Sequence, residues 1–297
     1  MAAYNRITKV YERARRIPFD NTSRIVLMSD CHRSDGSRAD NFYDNRNIYK
    51  VAMRYYDTAN FIYIELGDGD ELWENKQFSD ITRVNGDIFE ILAKFYRENR
   101  LSMIYGNHDI VKRDAKWTEN NLTAYVDAHS NTLVTLFPDI KAEEGIVLTH
   151  QATGAEIFLL HGHQADFFNY DLWRVSKFLV RYLWRPLETL GIKDPTSASQ
   201  NPRLKIRIED EFCKWAMDRN LSIITGHTHR YVFPSCDDVI SECYNDGCCV
   251  YPQFITAMEI VNDNISLIKW SIGTKPDGVL FVEREVIAGP RSLKIMT

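Results

Sequence analysis

Three short apolar runs, residues 24–29 (RIVLMS), 61–66 (FIYIEL) and 101–105 (LSMIY), are separated by two stretches, 41–58 and 87–96, with apolar residues at helical spacing. Such strand–helix–strand alternation leaves few arrangements: parallel strands with helices laid on the sheet. Ligands of open α/β sheets bind just beyond the carboxyl ends of the strands. Each run here is followed at once by a polar motif: Ser29-Asp30-Cys31-His32, Gly67-Asp68-Gly69-Asp70-Glu71 and Gly106-Asn107-His108-Asp109. Three chemically loaded loops should therefore meet on one rim.

The second half adds two more motifs. Residues 146–151 and 156–161 read as a hairpin around Thr153-Gly154, and its second strand delivers His161-Gly162-His163. A short run, 221–225 (LSIIT), delivers Gly226-His227-Thr228-His229. From 231 to 297 several short strands are expected, with turn signals at 245–247, 262–264 and 276–278. With that part forming a second, mostly antiparallel sheet packed on the first, the expected fold class is α/β: an αββα sandwich of two mixed β-sheets flanked by helices. No internal repeat or low-complexity linker divides the chain, so residues 1–297 are expected to form a single domain. A helical insertion at 164–215 interrupts it. Its first helix is apolar around most of its circumference, which fits either a cap packed on the sandwich or a dimer contact, or else a lid that lines a substrate pocket or touches lipid.

A chain of 297 residues with 44% hydrophobic and 26% charged residues can bury a sizeable core. A net charge of -5 argues against coating nucleic acid by bulk electrostatics, and no stable nucleic-acid binding is expected. No apolar run approaches the roughly 20 residues that cross a bilayer. The basic, amphipathic N-terminus lacks a signal-peptide core, so the expected location is cytoplasmic. Four of the six cysteines (Cys236, Cys243, Cys248 and Cys249) crowd one stretch without a Cys-x-x-Cys pair, which favours reduced thiols over a zinc knot.

The five motifs hold six of the eight histidines, and every motif contains a glycine or a carboxylate. A two-metal phosphoesterase requires two cations, a bridging carboxylate and an activated water. Mixed carboxylate, amide and imidazole donors suit Mn²⁺, Fe or Zn²⁺. Asp68 follows a strand and a glycine, so its carboxylate can bridge at the rim. Asp30 and His32, two apart on a segment expected to be extended, should point the same way, and so should His227 and His229. His129 and His150 carry no motif and are expected to be structural.

The order Asp-x-His, Gly-Asp-x-x-Glu, Gly-Asn-His-Asp, His, Gly-His-x-His, spanning residues 30 to 229, resembles the calcineurin-like metallophosphoesterases. The resemblance implies two divalent ions, Mn²⁺ first among them. Asp30, His32, Asp68 and His229 would hold one; Asp68, Asn107, His161 and His227 the other. His108 would stand by the leaving-group oxygen, Glu71 would orient it, and a bridging hydroxide would attack phosphorus in line. The stretch from Gly67 to Trp73, the helical insertion and Gly226–Arg230 also look like UDP-diacylglucosamine hydrolases, which cleave a pyrophosphate in a nucleotide-linked glycolipid. That subfamily usually has Arg where this chain has His108 and Asp where it has His163, so a soluble monoester or diester is an equal expectation.

The expected partner is thus a small phosphorylated molecule, nucleotide-linked or lipid-linked in the narrower reading. Arg33 is expected to contact phosphate oxygens, with Arg230 behind it, and His163 to serve substrate or the metal surroundings. A non-catalytic metal-bearing scaffold is the alternative of another class; it would typically lack a ligand or the catalytic histidine, and this chain keeps all of them. A nuclease is a further alternative, favoured only by Arg203, Lys205 and Arg207. Membrane contact rests on the insertion and on Trp173 and Trp184. The sequence does not specify oligomeric state.

Overall fold

The computed structural model describes residues 2–127, 130–188, 201–234 and 242–293. Its first strands are β1 (Arg15–Phe19), β2 (Arg24–Met28), β3 (Ile62–Leu66), β4 (Leu101–Ile104), β5 (Ala124–Val126), β6 (Leu133–Thr135) and β7 (Ala142–Glu143). There follow β8 (Gly145–His150), β9 (Glu156–Leu160), β10 (Ser222–Thr225), β11 (Cys243–Asn245), β12 (Phe254–Val261), β13 (Asn264–Thr274) and β14 (Leu280–Ser292). The longer helices are α1 (Ala2–Arg13), α2 (Arg46–Thr58), α3 (Phe78–Arg97) and α4 (Ala115–Leu122). The insertion contributes α5 (Phe167–Tyr170), α6 (Trp173–Leu179) and α7 (Arg185–Glu188), and α8 (Pro202–Arg219) leads into β10.

One sheet runs β14-β13-β12-β2-β3-β4-β7 and the other β1-β8-β9-β10-β11. As the alternation required, β2, β3 and β4 pair in parallel, so their carboxyl ends share one rim. The expected origin of the second sheet is corrected. The C-terminal strands β12, β13 and β14 form a long antiparallel meander that adds to the edge of β2 in the first sheet. The second sheet is built from β1, the β8–β9 hairpin, β10 and β11, with three parallel pairings and one antiparallel. Strand β1 went unforeseen because RRIPF is neither a continuous apolar run nor an alternating one; its partner β8 lies 131 residues away in register.

Side-chain alternation sorts the core into layers. Val26 and Met28 face α2 and α3, packing with Tyr49, Met53, Ile88 and Leu92. Ile25 and Leu27 point to the other side, meeting Ile146, Leu148, Leu159 and Ile224 between the two sheets. Val147, Phe158 and Ile223 on the far face of the second sheet pack against Ile7 of α1 and Ile208, Phe212 and Trp215 of α8. The layers are therefore α, β, β, α. Trp215 is fully buried against the rings of Tyr11 and Phe158, with its indole N–H donating to Thr8 Oγ1 at 3.0 Å. Trp215→Ala is expected to cost about 3–5 kcal/mol, read by urea denaturation. A loss near zero would show that α1 and α8 are not part of the cooperative fold.

The insertion does not bury all its apolar residues. α6 and α7 are joined by a wider π turn over Val180–Trp184. Ser176, Leu179, Val180 and Trp184 face a cleft of about 990 Å³ at the rim of the sandwich. Phe178 is 61% exposed and Tyr182 56% on the opposite side. The helix thus roofs a pocket and is not a fully buried packing element. Of the apolar residues expected on this helix, Leu190 lies outside the described residues.

Candidate metal centre

The first two motif loops keep pairing with each other after their strands end. Asp30 N–H donates to Gly67 O at 3.0 Å, His32 N–H to Asp68 O at 2.9 Å and Arg33 N–H to Gly69 O at 3.0 Å. The chain then turns sharply. Asp30, His32, Asp68, His227 and His229 all have φ between 49° and 67°, the left-handed region that non-glycine residues rarely enter. This corrects the expectation of an extended segment. Asp30 and His32 share a target because each sits in a left-handed turn and not through strand alternation, whereas His229 joins their group and His227 turns to Asp68 and His161. Such conformations cost on the order of 1–3 kcal/mol each and persist where surrounding structure enforces them. Here the enforcement is visible: Asp30 Oδ2 accepts from Ser29 Oγ (2.5 Å) and from the N–H of His227 (2.8 Å), and Asp68 Oδ1 accepts from the N–H of His108 (2.7 Å). Gly106 is required by close approach, since a Cβ there would lie 2.1 Å from Asp68 Oδ1.

The imidazoles are held in defined tautomers. His161 Nδ1 donates to Leu66 O at 2.9 Å, leaving the Nε2 lone pair 3.0 Å from Asp68 Oδ2. His32 Nδ1 lies 2.9 Å from Glu71 Oε2, an acceptor, so its Nε2 also carries a lone pair. That nitrogen faces His229 Nε2 at 3.3 Å, and His229 Nε2 is 3.0 Å from Asp30 Oδ1. A ligating histidine commonly has its second nitrogen tied to a carboxylate or carbonyl in this way.

The chain's own donors fit divalent cations. Asn107 Oδ1 is buried without a hydrogen-bond partner, and an unpaired buried acceptor is costly unless something electropositive meets it. Two sets of ligating atoms each lie within 4.8 Å of one another: Asp30, His32 and His229, and Asp68, His161 and His227. Without a cation, protons compensate. Burial opposes charge on His161, but the Asp68 and Asp30 carboxylates outweigh it and lift its pKa to about 9. Burial likewise disfavours ionised Asp68, yet His161 and His108 hold its carboxyl far below the usual range.

A cation must displace the His161 proton. A folded pKa raised from 6.5 to about 9 means that the protonated form stabilises the metal-free fold fully below 6.5, an advantage lost as pH rises through 9. Affinity for Zn²⁺ or Mn²⁺ is therefore expected to rise from pH 6.5 to 9 with proton release, as calorimetry in buffers of different ionisation enthalpy would show. Affinity flat across that range would contradict this assignment.

His108 lies on the cleft side of these donors. Its Nδ1 is 2.8 Å from Glu71 Oε1, and its ring stacks on Trp73 at 4.3 Å between centroids and 24° between planes. Glu71 thus serves His32 and His108 together, and the two histidines hold its carboxyl well below the usual range although burial pushes the other way.

The substrate contacts expected of Arg33, His163 and Arg230 are corrected. Arg33 does not reach the cleft: it is fully buried, with Nη1 2.7 Å from Glu65 and Nε 2.7 Å from Asp70. Lys112 completes that cluster, 2.8 Å from Asp70 and 2.7 Å from Asp109. These ion pairs lock the first three loops together behind the rim. His163 is also fully buried, its ring among those of Tyr105, Tyr170 and His161, and it does not line the cleft. Burial, the neighbouring His161 and His227 then hold its pKa well below the free value. Arg230 pairs with Glu209 and points to a different groove.

Asp166 is a site residue that the motifs did not announce. It caps α5, lines the cleft and places Oδ2 3.5 Å from His227 Nε2. Cys31 and Cys249 are buried as thiol neighbours beside the first loop, and Cys243 and Cys213 are free thiols in hydrogen-bond contact. Among the described residues no cysteine joins a candidate metal cluster. Cys236 and His129 lie outside the described residues, and His150 sits apart from the rim, bonded to Thr153.

The sequence profile of the calcineurin-like phosphoesterases matches residues 23–231, which includes all five motifs. Among solved structures, Vps29 of Chaetomium thermophilum is similar with 13% identity and a TM-score of 0.40 over 90% of this chain and 96% of that one. A cold-active protein-tyrosine phosphatase of a psychrophilic Shewanella is similar with 12% identity and a TM-score of 0.39, over 89% and 81%. Likenesses this distant say nothing about activity. No curated protein matches the sequence significantly.

Proposed function

The chain belongs to the calcineurin-like phosphoesterase family, and from that premise we propose that it is a hydrolase of phosphate esters or pyrophosphates working with two divalent ions. The observation that carries the reading is the convergence of His32 Nε2 and His229 Nε2, 3.3 Å apart beside Asp30, set next to a second group of Asp68, His161 and His227. Asp68, whose Oδ2 lies 3.0 Å from His161 Nε2 and 3.9 Å from His32 Nε2, is the bridging ligand in this reading; Asn107 joins the second group. When bound, the ions would supply Lewis acidity to a phosphoryl oxygen and lower the pKa of an attacking water. Mn²⁺ is our first assignment, with Fe and Zn²⁺ compatible with the same donors.

The protein's own part is orientation and proton transfer. Glu71 accepts from the His108 Nδ1–H and orients the ring toward the cleft, so that in its imidazolium form the Nε2–H can donate to the departing oxygen. Trp73 covers one face of the imidazole and keeps water off it.

A narrower reading is favoured by the cleft wall. Phe167, Phe168, Leu179, Val180 and Trp184 form an apolar roof above the carboxylates and histidines, while Arg203 and Arg207 stand at its edge. This combination suits a phosphorylated substrate with an apolar part, including a nucleotide-linked glycolipid of the UDP-diacylglucosamine type. The two arginines offer anion contacts that Arg33 cannot. No helix among the described residues is long and apolar enough to cross a membrane. We place the enzyme in the cytoplasm, since the buried thiols of Cys31, Cys248 and Cys249 form no disulfide among the described residues.

The test is hydrolysis of p-nitrophenyl phosphate, bis-p-nitrophenyl phosphate and a UDP-sugar pyrophosphate by chelator-stripped protein reconstituted with Mn²⁺, Zn²⁺ or Mg²⁺. Metal-dependent turnover is expected, and the preferred substrate divides monoester, diester and pyrophosphate chemistry. A protein that binds two ions yet turns over none of these would favour the scaffold alternative.

A further inference from the structure

We propose that the insertion helix is a positioning element for His108, acting through Arg181 and Trp73. The inference rests on the catalytic reading of His108 given above. Arg181 projects from the π turn and grips the backbone of the loop that follows Glu71. Its Nε donates to Trp73 O at 2.6 Å, and its Nη2 to Leu72 O and Asn75 O, both at 3.1 Å. Three carbonyls of one short loop thus converge on one guanidinium.

The gripped loop carries the ring that stacks on His108; the ring of His32 meets the same imidazole edge-on at 4.7 Å. Trp73 is 2% exposed and lies flat on the imidazole. Arg185, one turn further on, donates to Glu74 O at 2.8 Å and to Asp35 Oδ2 at 2.6 Å, so the helix also reaches the loop after His32. From the other side, Asn75 Nδ2 donates to Ser34 Oγ at 2.7 Å and Glu71 O at 2.8 Å. The loop is therefore clamped between the insertion and the motif loops, and the orientation of Trp73 follows the position of Arg181.

The π turn bears on this geometry. A π turn displaces the side chains that follow it relative to a continuous α-helix, and such turns recur at functional sites. It falls on Val180–Trp184, which holds both Arg181 and two residues of the cleft roof, Val180 and Trp184. Occupancy of the cleft and the grip on the loop are thus carried by the same turn. The insertion does more than exclude water: it sets the ring that aligns the proton donor.

A general acid matters most when the leaving group is poor. In holoenzyme carrying Arg181→Met, kcat for phenyl or alkyl phosphate esters is expected to fall about 30-fold, a part of the ~10²–10⁴-fold that a general acid contributes, and kcat for p-nitrophenyl esters less than about 3-fold. Metal content should not change. Arg181→Lys, which keeps charge but not the three-carbonyl grip, should show most of the loss, and Trp73→Leu at least as much. An equal fall for good and poor leaving groups would overturn the proposal.

A second measurement is independent of turnover. In the zinc-loaded protein labelled at histidine, the stacked indole should shift the His108 ring protons upfield, with His108→Gln supplying the assignment. Trp73→Leu should abolish that shift and Arg181→Met should reduce it. A His108 signal unmoved by Arg181→Met would refute the coupling even if no aryl ester were hydrolysed. Inactive wild-type protein with the coupled shifts would instead count against the catalytic reading alone.

Discussion

Asp68→Asn is expected to remove turnover by on the order of 10³-fold or more while the fold survives, the scale reached when an electrostatic element of a preorganised site is lost. The carboxylate is buried and shared: Oδ1 receives the His108 N–H, and Oδ2 lies 3.0 Å from His161 Nε2 and 3.9 Å from His32 Nε2. An amide of the same shape can keep one acceptor but loses the negative charge that both ligand groups face. Bound metal should fall from two ions per chain to one or none by elemental analysis, with unchanged circular dichroism. Two retained ions and undiminished kcat would remove Asp68 from its bridging place.

His108→Ala is expected to separate binding from chemistry. The imidazole is one of the more accessible groups at the rim, its side chain 20% exposed, and it touches Glu71 and Trp73. Its removal should leave metal content intact and lower kcat by about 10²–10⁴-fold on substrates with poor leaving groups, the usual span for a general acid. The loss should shrink on p-nitrophenyl esters, whose leaving group departs without a proton. A variant that loses its metals instead would make His108 a ligand, and one with full activity would leave the proton donor unidentified.

The sequence carried the architecture to different depths in different places. Parallel pairing of β2, β3 and β4 followed from local patterning, because each is a continuous apolar run buried on both faces. The sheet to which the C-terminal strands attach was not legible. The pairing of β12 with β2, over 200 residues away, depends on which edge remains open once the parallel core has formed. The motifs marked the rim donors, since Asp30, Asp68, His161 and His229 owe their places to loops that begin at strand ends. How they aim was hidden: left-handed turns at Asp30, His32 and Asp68 are stabilised by bonds from other loops, and no residue-type signal announces them.

Arg33 shows the limit most clearly. An arginine beside a ligand histidine suits phosphate binding, but Glu65 and Asp70 lie across the sheet edge and bind it first. Glu65 sits in a strand that otherwise reads as apolar, and a lone buried carboxylate needs a cation; that was the available signal. For Asp166 the signal was its position three residues after His163, directly before an apolar run, as an N-cap requires. Trp73 and Arg181 gave no such sign, because a stack and a backbone grip appear only when the insertion is folded back on the loop.

The central claim is that five motif loops build one site for two cations joined by Asp68. Crystals grown with Mn²⁺ and measured at the manganese absorption edge test it directly. The expected result is two anomalous peaks about 3.5–4 Å apart, one beside Asp30, His32 and His229, the other beside Asn107, His161 and His227, with Asp68 between them. A single peak, or peaks that leave Asp68 unligated, would contradict it.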